Sequence, residues 1–92
     1  MPTPGVVIAS IRALKDADGL VEREKVISLV ETIDRVDGRL SNRVKAELEA
    51  LVRTFEKKGS EAGYDKAFDE SLTWGRAAAM LADTLELLQR VG

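Results

Sequence analysis

Residues 39–59 read RLSNRVKAELEALVRTFEKKG, and within them Leu40, Val44, Leu48, Leu51, Val52 and Phe55 step by four, four, three, one and three. That spacing puts six apolar side chains on one face of an α-helix, since residues three and four apart stack at about 100° per residue. Ser41 or Asn42 can cap the start of this helix. The run Lys57-Lys58-Gly59 suits its end, where cations meet the negative end of the helix dipole. The stretch predicts a helix over about 41–57, and the same period extends to both sides of it.

Upstream, both prolines lie within the first four residues. Thr3 can cap a helix that has Pro4 at its first position, where a missing N–H costs nothing. Val7, Ile8, Ile11 and Leu14 then share a face, giving a helix over about 4–17 that Asp18-Gly19 ends. A second helix is expected over about 22–36, with Val26, Ile27, Val30 and Ile33 inward and Asp37-Gly38 at its end. The two Asp-Gly corners share the pattern Asp-Gly-any-aliphatic 19 residues apart, a single turn solution used twice.

Downstream, two stripes compete. Tyr64, Phe68 and Leu72 form one; Trp74, Ala78, Leu81, Leu85 and Leu88 form another, about 160° around the helix. Glycine inside a helix costs roughly 0.5–1 kcal/mol against alanine. The reading therefore breaks the segment near Thr73-Trp74-Gly75, into a short helix over about 64–72 and a long one over about 74–90. The fold class expected is all-α: a single domain over 1–92, built as a small antiparallel bundle of about four or five helices with short glycine-containing turns.

Composition narrows the function. The 92 residues contain no Cys and no His, which removes thiolate metal sites, disulfides, the Cys nucleophile and the usual general base. Neither phosphate-cradling loop, G-x-G-x-x-G or G-x-x-x-x-G-K-[ST], is present. No run approaches the ~18–20 apolar residues of a membrane span, and the N-terminus lacks a basic-then-apolar leader. A soluble, cytoplasmic, non-enzymatic protein without cofactor or bound metal is the expectation. Lys15 to Val21 resembles the middle of an EF-hand loop, with Asp16 and Asp18 at the third and fifth positions. Its first position is Leu14 and its twelfth Lys25, so two ligands a calcium ion needs are missing.

Charge placement says more than the net charge of −2. Residues 39–58 carry six basic and three acidic side chains, and residues 59–72 carry one and four. Arg39, Arg43, Arg53 and Lys57 fall within about 80° of one another, opposite Leu48 and Phe55, with Ala46 and Ala50 between them. That stripe suits an acidic protein partner. Trp74 with Arg76 supplies a second contact point, because Trp and Arg dominate binding hot spots; core filling is the equal alternative for Trp74. The sequence thus points to a small helical binding module that acts by protein–protein contact, as an adaptor, regulator or inhibitor of a larger protein or complex. Two alternatives use the same features: binding to a nucleic-acid backbone through the basic stripe, and a structural homo-oligomer assembled through Trp74, Leu81, Leu85 and Leu88.

Overall fold

Every element that a computed structural model shows over residues 3–17, 19–36 and 42–91 is an α-helix, four in all among these described residues. They are α1 (Pro4–Asp16), α2 (Arg23–Arg35), α3 (Asn42–Tyr64) and α4 (Phe68–Val91). None is long and apolar enough to cross a membrane.

α1 starts as its sequence dictates. The Thr3 hydroxyl accepts a hydrogen bond from the Val6 amide at 3.3 Å, and Pro4 opens the helix. Its core face is Val7, Ile11 and Leu14. Beyond it Gly19 takes φ +84°, the left-handed conformation that glycine adopts without strain. In α2 the buried residues are Val26, Leu29 and Ile33, while Ile27 and Val30 are only half-buried. The inward face is thus turned by part of a residue step from the expected one, because α2 packs against both α1 and α4. Asp18, and the second Asp-Gly corner with Arg39, Leu40 and Ser41, lie outside the described residues.

α3 buries Val44, Leu48, Leu51, Val52 and Phe55, as its spacing requires. It does not stop at Lys57-Lys58-Gly59. It continues through Gly59 and Gly63 to Tyr64, because both glycines are contact points rather than terminators. A Cβ on Gly59 would lie 3.3 Å from Trp74 Cβ and 3.5 Å from the Ser71 carbonyl oxygen; one on Gly63 would lie 3.3 Å from Ser71 Oγ. Ser71 Oγ also donates to the Gly59 carbonyl at 2.8 Å. The missing side chains let α4 approach closely, and that packing outweighs the roughly 1 kcal/mol each glycine costs in helix propensity.

The true end of α3 lies seven residues later than expected. The Ala67 amide donates to the Ala62 carbonyl at 2.8 Å and the Lys66 amide to the Gly63 carbonyl at 3.1 Å. Lys66 sits at φ 62°. This is a Schellman motif with lysine where glycine is usual. The Ala67 carbonyl then accepts from the Ser71 amide at 2.9 Å, starting α4.

α4 is one continuous helix, not two. The helix runs through Gly75 without a break, and a Cβ placed there would meet nothing within 4 Å. The expected break came from treating both apolar stripes as buried. Only one is: Trp74, Ala77, Ala78 and Leu81 are in the core, with Leu85 and Leu88 packed against it. The other points outward. α3 and α4 form a hairpin with the most extensive contact in the molecule, α1 lies on α3, and α2 bridges α1 and α4.

Candidate functional site

Trp74 belongs to the core. It is 6% exposed, its ring tilted 52° against Phe55 at 5.1 Å between centroids. Lys58 Nζ lies 4.9 Å from the indole centroid, a cation–π contact. Trp74 sits opposite Gly59, where the missing side chain makes room for it. The seam of Trp74, Leu81, Leu85 and Leu88 is likewise turned to the inside, with Leu81 fully buried. It packs within the chain, Leu85 and Leu88 remaining half-buried.

The cationic stripe of α3 has the opposite fate. Arg43, Arg53 and Lys57 are all exposed on the side of α3 away from the core, with Ala46 exposed and Ala50 half-buried among them. Arg53 holds Glu49 one turn back in an ion pair whose side chains are 75% and 46% exposed, so most of the guanidinium still faces water. Arg39, the fourth member expected here, lies outside the described residues. Because α3 runs on past Gly59, the stripe gains a residue the sequence reading had assigned to another helix. Tyr64 lies seven positions after Lys57, two helical turns on the same side, and is 93% exposed. Phe68, across the three-residue corner, is 68% exposed.

One ion pair ties this helix to the rest. Arg12 of α1 donates to Glu47 of α3 at 2.8 Å. The hydrogen bond from Arg12 holds the Glu47 carboxyl below the usual carboxylate range, against the opposing effect of partial desolvation. The charges of Arg12, Lys15 and Arg43 act in the same direction, and the Arg12 guanidinium is correspondingly raised by Glu47. Arg43 thus faces outward while its charge adds, as the smallest of these effects, to the lowering at the half-buried Glu47 carboxylate.

Arg76 lines a different feature, an open groove of about 460 Å³ between the start of α2 and the middle of α4. Val21, Val26, Ala77 and Met80 form its floor, and Arg23 stands beside Arg76 at its rim. Among the described residues, no group of three or more Asp or Glu side chains is arranged to hold a metal ion, and no buried side-chain polar atom lacks a hydrogen-bond partner. The buried Thr84 hydroxyl is satisfied by donating to the Met80 carbonyl at 3.0 Å. What these described residues offer is an outward-facing cationic strip on α3, with an exposed Tyr64 two turns beyond it and an exposed Phe68 at the start of α4. No family model matches the chain, and no curated protein or solved structure is detectably similar to it.

Proposed function

We propose that the chain is a small, non-catalytic helical binding module, its helices running alternately up and down, that acts by docking on an acidic surface of a protein partner. The observation that carries this reading is the continuous outward face of α3. There Arg43, Arg53 and Lys57 share a side with Tyr64, two turns beyond Lys57; Tyr64 and Phe68, the latter at the start of α4, are the two most exposed large apolar side chains of the described residues. Exposed aromatics on so small a domain mark contact sites. Aromatic and Arg side chains are also the ones that contribute most at interfaces. The cations supply complementarity and steer encounter, while the rings supply the area removed from water. Arg rather than Lys at two of the three cationic positions favours bidentate capture of carboxylates.

The position of Tyr64 beside the cations also keeps the nucleic-acid reading alive, since a base can stack on an exposed ring. A single experiment separates the two. Fluorescence anisotropy with a labelled poly-glutamate peptide and with single-stranded DNA is measured for the parent and for the double variant Arg53→Glu/Lys57→Glu. The protein-contact reading expects peptide binding that the variant weakens about tenfold or more, and DNA binding that is weaker throughout. Tight DNA binding with a steep loss between low and high salt supports the alternative. Peptide affinity unchanged in the variant removes the α3 face as the contact.

A further inference from the structure

The outward face of α4 carries a charge pattern whose two inner members take part in none of the ion pairs among the described residues, while Arg90 at its end pairs with Glu86. Asp69, Arg76, Asp83 and Arg90 follow one another at seven-residue intervals with alternating sign, and Leu72 and Leu87 stand between them. At 100° per residue these six, with Ala79 and Met80, fall within an arc of about 100° on the side of the helix opposite Trp74 and Leu81. All are exposed except half-buried Met80. Leu72 and Leu87 remain 52% and 60% exposed.

The two inner charges have no mate on their own helix. Pairing along a helix requires partners three or four residues away. Arg76 has Leu72, Thr73, Ala79 and Met80 at those positions, and Asp83 has Ala79, Met80, Glu86 and Leu87. The two are themselves about 10.5 Å apart along the axis, beyond an ion pair. The ion pairs among the described residues are Arg12–Glu47, Arg53–Glu49 and Arg90–Glu86, so neither residue is engaged elsewhere. The one other charged residue lining the groove beside Arg76 is Arg23, of the same sign.

The pattern becomes complete when it is reversed. Counted from the midpoint between Ala79 and Met80, Arg76 mirrors Asp83, Asp69 mirrors Arg90, and Leu72 mirrors Leu87. We propose that a second copy of this chain docks on this face, α4 against α4 in opposite directions, with a two-fold axis between Ala79 and Met80. Each Arg76 then meets Asp83 of the other copy, each Asp69 meets Arg90, and the two leucine pairs close over the seam. The contact is isologous, so every pairing occurs twice. It extends over about 32 Å of helix. Ala79 beside the axis lets the backbones approach. A parallel in-register arrangement sets every charge against its own kind. This interface lies on α4, apart from the α3 face, and stands whether or not that face binds an acidic partner.

Sedimentation equilibrium of the full chain over a wide concentration range tests it. The parent is expected to rise from 10.1 kDa toward twice that mass. Arg76→Asp alone and Asp83→Arg alone each set like charges together across the axis and should weaken association about tenfold or more. The double variant Arg76→Asp/Asp83→Arg restores opposite charges and should recover association. Both positions of the swap are at the surface, and unchanged far-ultraviolet circular dichroism verifies that each variant is folded. The α3 variant Arg53→Glu/Lys57→Glu should dimerise like the parent. A parent that stays monomeric at millimolar concentration, or single reversals without effect, or a double variant that does not recover, overturns the proposal.

Discussion

Three residues decide how this chain differs from what its pattern suggests, and each makes a prediction. Gly59 and Gly75 look alike in sequence, both lying inside helices, yet their surroundings are opposite. Alanine at Gly59 presses its Cβ on Trp74 Cβ and the Ser71 carbonyl, neither of which can move without shifting α4. Overpacking of this kind costs about 1–3 kcal/mol, more than the propensity gained. Gly75→Ala meets nothing and should stabilise by about 0.5–1 kcal/mol. Urea unfolding of the two variants should therefore move the midpoint in opposite directions. Lys66 bears the left-handed turn that ends α3. Replacing it with glycine removes the Cβ strain and should stabilise by a few tenths to about 1 kcal/mol, read as a rise in melting temperature. None of these environments is visible in a single sequence: a glycine that stops a helix and one that admits a neighbouring helix look the same. A lysine gives no sign that it takes a turn conformation favoured by glycine.

At the scale of elements, the bounds of α1 and α2 and the core side of α3 were legible, and the junction between α3 and α4 was not. Thr3-Pro4 marked the start of α1, and the spacing of Val44, Leu48, Leu51, Val52 and Phe55 marked the core side of α3, because local hydrogen bonding and period decide both. The end of α3 and the start of α4 are decided by each other, through Gly59, Gly63, Ser71 and Trp74, and only the assembled hairpin contains that information. The pairing of α1 with α3 is a further tertiary feature, and it predicts a pH dependence. The Arg12 hydrogen bond lowers the folded-state pKa of Glu47, so the unfolded chain binds the proton more readily. The stability this pair contributes is present above the unfolded carboxylate range and is lost as pH falls through the lowered folded value. Glu47→Gln should be less stable than the parent at neutral pH, and the gap should close on acidification. Thermal melts of both proteins across the acid range measure it.

The whole molecule sorts its surfaces by side. The interior takes Trp74 and Leu81, with Leu85 and Leu88 packed against it, so of the two readings the sequence left open for Trp74, contact and core filling, the structure has the second, with α3 its main cover. The basic stripe was visible in the sequence as a charge imbalance over residues 39–58. Its aromatic end was hidden until α3 was seen to continue to Tyr64. With the seam packed internally, the outward side of α3 and the outward side of α4 are the two separate faces proposed for contact. The account rests most heavily on the first. Its most direct test is an amide chemical-shift map of the labelled chain titrated with a poly-glutamate peptide. Perturbations are expected along the outward positions from Arg43 to Tyr64 and at Phe68, leaving the outward face of α4 unchanged. Shifts centred on the groove between α2 and α4, or none at saturating peptide, would contradict it.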